Sequence, residues 1–156
     1  MKQLSLLFLL TLAPFAYAFS DRPYNHSYDF RRDPDSDLNF AKSDAQKQNK
    51  LILLEIGGDW CIWCHRLDEF ISTKKELSES ISDNFVVLKI NVSEENSNEK
   101  FLKTFSKVPG YPHFIILDSN GREIGSMNTS NLEEGKSYSL TKFEGFIENW
   151  KRKNLH

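Results

Sequence analysis

Cysteine is almost absent from this chain: 156 residues contain two, Cys61 and Cys64, three positions apart. A small exported fold stapled by disulfides carries several pairs at long separations, so that architecture is excluded. One C-x-x-C ring restrains too little of the unfolded chain to be kept for stability, which leaves a working pair as the better account. Beyond the N-terminus no apolar run approaches the about 20 residues needed to span a bilayer, so no stable membrane insertion is expected. An excess of positive charge is missing too. Twenty Lys and Arg stand against 22 Asp and Glu, for a net charge of −2, and the electrostatics of a nucleic-acid partner are absent. No evident dimerisation segment occurs, and a monomer is expected.

At the N-terminus Lys2 precedes an apolar run from Leu4 to Ala13, followed by Ala16-Tyr17-Ala18, a small-x-small cleavage pattern. Residues 1–18 therefore read as a cleaved signal peptide, which places the mature chain in the periplasm or outside the cell. No cysteine follows the run to carry a lipid. Residues 19–36, polar and broken by Pro23 and Pro34, read as an extended lead-in. Residues 37–156 suit one domain with its own core.

Within that domain a helix is expected from Asp37 as N-cap, with Leu38, Ala41 and Ala45 at helical spacing, ending in the polar run Gln46–Lys50. Leu51–Ile56 is a continuous apolar run of the kind found in strands covered on both faces. One helix should then run from the cysteines to Ile81. Phe85–Ile90 is a second buried strand, Glu94–Lys107 a helix and His113–Leu117 a third strand. Asp118-Ser119-Asn120-Gly121 is a turn that returns Arg122–Met127 as a hairpin partner. Asn128–Ser139 reads as loop, and Thr141–Lys153 as a closing helix with Phe143, Phe146, Ile147 and Trp150 inward. The fold class is α/β, a central mixed sheet flanked by helices, with a βαβ crossover between the first two strands.

The cysteines fall where the first central strand meets the helix after it, the place where ligands gather in open α/β sheets. A thiolate at a helix N-terminus is stabilised by the dipole and free N–H groups, which lowers its pKa below about 8.5. Cys61, beside the loop, is the expected exposed attacking sulfur, and Cys64, one turn in, the shielded resolving thiol. Trp60 forms apolar surface beside Cys61. Ile62 and Trp63 put no charge between the sulfurs, which argues against the most oxidising kind of site. C-x-x-C-H is also a c-type haem pattern, with His65 as one axial ligand and Met127, His113 or His26 as the other. Two thiolates and an imidazole could equally hold Cu(I) or Zn(II).

Strand, Asp59-Trp60-Cys61-x-x-Cys64, helix, and then Gly110-Tyr111-Pro112 leading into a strand and an Asn-Gly hairpin together resemble the thioredoxin superfamily. Asp59-Trp60-Cys61 and a helix without proline after Cys64 resemble, within it, the C-terminal domain of the thiol:disulfide reductase DsbD and secreted thioredoxin-like proteins akin to it. The resemblance implies a thioredoxin-like fold, disulfide exchange without a cofactor or metal, and a cis Pro112 facing the cysteines. It also implies that Tyr111 pairs by its backbone with a substrate strand, and that Glu55 is a buried acid beneath Cys64. A carboxyl on an apolar strand is costly to bury ionised, so its pKa should rise and it could exchange a proton with Cys64; otherwise it finds a cation partner or solvent. Catalytic residues are then Cys61, Cys64 and Glu55, and substrate-binding residues Trp60, Ile62, Trp63, Tyr111 and Pro112. Partners are protein or small-molecule thiols and disulfides, with an upstream redox donor such as a membrane thiol reductase. Ile62, Trp63 and His65 depart from the usual thioredoxin motif, which has Gly-Pro and Lys there. A buried strand before the motif and Gly-Tyr-Pro after it do not suit a helical cytochrome. The remaining alternative is a redox-inactive or metal-binding module on the same fold.

Overall fold

The computed structural model describes residues 26–154; the leader at residues 1–18 and the start of the lead-in lie outside them. Strand β1 (Leu51–Gly57) is buried along its whole length. It pairs in parallel with β2 (Phe85–Asn91) on one side and antiparallel with β3 (His113–Leu117) on the other. β4 (Glu123–Asn128) adds antiparallel to β3, giving the order β2-β1-β3-β4 and the mixed sheet expected from the sequence.

The period of two along β1 divides the core into two layers. Ile52, Leu54 and Ile56 pack with Ala41 and Ala45 of α1 (Pro34–Gln48), whose small side chains let the helix lie close to the sheet. Leu51 and Leu53 face the other way. They meet Leu67 of α2 (Ile62–Ser72), Leu77 and Ile81 of α3 (Lys75–Asn84), and Phe143 and Phe146 of α5 (Leu140–Asn154). Gly125 of β4 admits the indole of Trp150, since a Cβ there would lie 2.1 Å from the ring. The same alternation turns Glu55 and Gly57 towards α2, under the cysteines.

Several boundaries differ from expectation. α1 begins at Pro34, with Asp33 as N-cap accepting from the Asp35 N–H; proline at the first position costs no helical bond. Asp37 is therefore not the cap. It is buried and ion-paired with Arg32 in the preceding turn. The stretch from Cys61 to Ile81 is two helices, because the Ser72 and Thr73 hydroxyls take the Glu69 carbonyl and end α2. The helix expected over Glu94–Lys107 shrinks to α4 (Glu99–Leu102). Upstream of it, Asn91 donates to the Asn96 carbonyl and Asn98 to the Asn91 carbonyl, so side chains satisfy this backbone in a loop instead. Residues 128–139 are more ordered than a loop, with a 3-10 turn (Thr129–Leu132) and a small hairpin, β5 (Glu133–Glu134) and β6 (Ser137–Tyr138).

Candidate active site

Cys61 is the N-cap of α2 and forms a disulfide with Cys64. Its Sγ accepts from the Cys64 backbone N–H at 3.1 Å, a first-turn donor that also reaches the Cys61 carbonyl at 3.0 Å. The expectation of an exposed Cys61 needs correcting. It is the more accessible sulfur, but only 4% exposed against 0% for Cys64, because Tyr28, Trp63 and Tyr111 pack around the pair.

The residues read as a substrate surface surround this pair unequally. Trp60 and Ile62 are each 60% exposed. Trp60 is held by donating Nε1–H to the Val92 carbonyl at 2.6 Å and meets Tyr111 edge-on at 5.5 Å between ring centroids. Trp63 is half-buried and already engaged, edge-on against Tyr138 and with the Arg66 guanidinium over its ring. The Tyr111–Pro112 bond is cis. The buried Thr129 hydroxyl donates to the Pro112 carbonyl at 2.8 Å, and the Tyr138 hydroxyl to the Trp63 carbonyl at 3.3 Å. The segment 128–139 thus buttresses both halves of the site, which no local pattern in it announced.

Beneath the cysteines lies a polar network inside an apolar layer. Leaving a charge buried without a partner costs several kcal/mol, and Glu55, 3% exposed, has two partners on Oε1. The Tyr28 hydroxyl donates to it at 2.5 Å, and Lys89 Nζ stands 3.4 Å away. Lys89 is the register partner of Glu55 on β2 and also pairs with Asp68, one turn beyond Cys64 on α2. Burial raises the Glu55 pKa; the Lys89 charge and the Tyr28 hydrogen bond pull it down without cancelling the rise, to which Asp68 adds. Burial would lower Lys89, but Glu55 and Asp68 outweigh it and keep the ammonium above its ordinary value. Tyr28 is raised far out of the titrating range by burial and then by Glu55. Tyr28, Lys89, Asp68 and Thr129 are the site residues that sequence reasoning missed. Lys89 alone carried a sequence signal, as a lone cation in an apolar strand at the same offset as Glu55.

The candidate haem and metal ligands do not converge. His65 Nε2 is 2.6 Å from the Asp59 carbonyl oxygen. His113 is buried on the α1 face of β3, 2.7 Å from Ser126 Oγ, whereas Met127 pairs with Phe114 and packs in the opposite layer. His26 lines the open pocket beside Glu55 and Lys89.

Known proteins are similar to this chain in sequence and fold. The family model described as thioredoxin-like matches residues 33–119. The thiol:disulfide interchange protein DsbD of Tatumella citrea is 28% identical over 94 residues, which covers 56% of this chain and 16% of DsbD, so the chain spans only a small part of that relative. Among solved structures, a disulphide isomerase from Xylella fastidiosa is similar in fold, with a TM-score of 0.69 at 22% identity, covering 81% of this chain and 98% of that one. The oxidised C-terminal domain of Neisseria meningitidis DsbD gives 0.52 at 19% identity, covering 78% and 96%. No described helix is long and apolar enough to cross a membrane. The matched region exceeds half of the chain and takes in Glu55, both cysteines and Tyr111–Pro112, and on that ground the chain belongs to the thioredoxin-like family.

Proposed function

We propose that this protein is an exported thiol:disulfide oxidoreductase acting as a reductase in the periplasm or outside the cell. The fold and the C-x-x-C pair are of the thiol:disulfide oxidoreductase type. The observation that carries the reading is the Cys61–Cys64 disulfide at the first turn of α2, with Cys61 Sγ facing a backbone donor.

In the reduced protein Cys61 is the thiolate. It attacks one sulfur of a substrate disulfide, breaking that bond and releasing one substrate thiolate, which takes a proton from water. Cys64 then gives its proton to the Glu55 carboxylate and attacks Cys61. The mixed disulfide breaks, the second substrate sulfur leaves as a thiolate that takes a proton from water, and the Cys61–Cys64 disulfide described here forms. Two electrons from an upstream dithiol donor, such as a membrane thiol reductase, reset the pair. Trp60, Ile62, Trp63, Tyr111 and Pro112 form the surface on which protein or small-molecule disulfides dock. Open grooves of about 600 and 700 Å³, which share Val92, border Trp60 and Tyr111.

The electrostatics around the pair support this direction. Cys61 sits at the helix terminus, Ile62 and Trp63 put no charge between the sulfurs, and Glu55 places an acid below. A weakly stabilised thiolate gives a reducing couple. Equilibration with glutathione tests this: a potential near about −270 mV is expected, and one near about −120 mV would make the protein an oxidant. Cys64→Ser protein should also trap a mixed disulfide through Cys61.

A further inference from the structure

The proton step assigned to Glu55 leaves Tyr28 unexplained. Tyr28 lies before residue 33, where the family match begins. It is nevertheless 6% exposed and sits at the centre of the cysteine cluster. Its hydroxyl and Cys64 Sγ converge over Gly57: a Cβ built there would stand 2.7 Å from the one and 2.5 Å from the other. The ring is fixed from below by Lys89 Nζ, 4.7 Å from its centroid. Its segment is anchored by the Arg32–Asp37 ion pair and by Asn96, which donates to the Phe30 carbonyl at 2.8 Å. A tyrosine hydroxyl has one proton to donate and lone pairs to accept with. Here the proton is directed at Glu55 Oε1, and the lone pairs are left for a donor on the cysteine side.

We propose that the Tyr28 hydroxyl relays the Cys64 proton to Glu55 during resolution of the mixed disulfide, so that the segment before α1 is part of the catalytic machinery. This rests on the oxidoreductase function proposed above. The Cys64 S–H bond breaks as its proton passes to the Tyr28 oxygen, while the Tyr28 proton passes to Glu55 Oε1. The thiolate so formed attacks Cys61 and expels the substrate thiolate, which takes a proton from water. No net charge rests on Tyr28, in keeping with a phenol that burial keeps from ionising. Glu55 later returns its proton to solvent through the open pocket of about 360 Å³ that it lines with Asp68 and Lys89.

The reduced protein mixed with dithiobis-nitrobenzoate releases one aromatic thiolate as Cys61 attacks and a second as Cys64 resolves, so the two steps separate in one absorbance trace. Tyr28→Phe keeps the ring and removes the relay. It should slow the second phase relative to the first by about tenfold or more, and displace the pH profile of that phase between about pH 5 and about pH 9. In a Glu55→Gln background it should add nothing. A second phase with the wild-type rate and pH profile, or an equal slowing in both backgrounds, overturns the relay. The wild-type protein gives an independent reading. In mixtures of light and heavy water the second-phase rate should bow downward, because two protons move together; a straight line means direct transfer and overturns the relay even if Tyr28→Phe fails to fold. Wild-type protein that releases no second thiolate removes the oxidoreductase function itself, a result separate from normal exchange that is indifferent to Tyr28.

Discussion

Gly57→Ala tests how tightly Cys64 and Tyr28 are held together. The added Cβ would stand 2.5 Å from Cys64 Sγ, 2.7 Å from the Tyr28 hydroxyl oxygen and 2.9 Å from Tyr28 Cζ. Non-bonded carbon contacts settle at about 3.5–4.0 Å, so the methyl intrudes on its neighbours by roughly 1 Å. Cys64 cannot retreat, being fully buried in the first turn of α2 and bonded to Cys61. Tyr28 must give way, and in moving it loses the 2.5 Å hydrogen bond to Glu55. Overpacking costs about 1–3 kcal/mol, and a hydrogen bond to a charged group is worth about 1.5–3 kcal/mol. Because relieving the first sacrifices the second, the expected loss is about 2–4 kcal/mol. At a urea slope of about 2 kcal/mol/M the unfolding midpoint of the oxidised protein should fall by about 1–2 M, read by tryptophan fluorescence. A midpoint within about 0.3 M of wild type would refute the reasoning. It would show that Tyr28 swings away freely, and the convergence over Gly57 would lose its meaning.

Glu55 and Gly145 give two further outcomes. Burial raises Glu55 above its ordinary value of 4.5, so the folded state holds that proton more tightly than the unfolded chain does. Its stabilising contribution is therefore complete below that value and is lost as pH rises through the higher folded one. Urea midpoints measured from acid upward should fall in wild type relative to Glu55→Gln, and parallel curves would mean that Glu55 is not shifted. Gly145 lies exposed within α5, where an added Cβ meets nothing within 4 Å. Gly145→Ala should stabilise the fold by about 1 kcal/mol without altering the reduction potential; a loss of stability would mean that this turn of α5 is not regular helix.

The elements legible in the sequence are those fixed by local pattern. β1, β2 and β3 are short continuous apolar runs, and the Asn-Gly turn sets the β3–β4 hairpin, so the mixed sheet and the place of the cysteines followed. Errors arose where side chains compete with the backbone for hydrogen bonds. Ser72 and Thr73 divide a periodic stretch into α2 and α3, and Asn91, Asn96 and Asn98 hold a loop where the start of a helix was expected. Tyr28 and Thr129 were invisible for another reason. Each reaches the site through a contact many positions away, Tyr28 to Glu55 and Thr129 to Pro112, and nothing in the neighbouring residues marks that.

Glu55 shows how far one sequence can carry the chemistry. Two accounts stood side by side, a proton carrier or a carboxylate neutralised by a cation. The geometry supplies the cation, since Lys89 pairs with Oε1, and burial still drives the carboxyl upward, as the proposed proton step requires. They are compatible because Lys89 is shared. Asp68, 44% exposed at the mouth of the pocket, takes part of its charge, so Glu55 is only partly neutralised and keeps the tendency to hold a proton. A fully paired Glu55 would stay ionised and could not retain a proton from Cys64; an unpaired one would stay protonated and could not take it. In the proton step proposed above, the Asp68–Lys89 pair sets the balance between these limits.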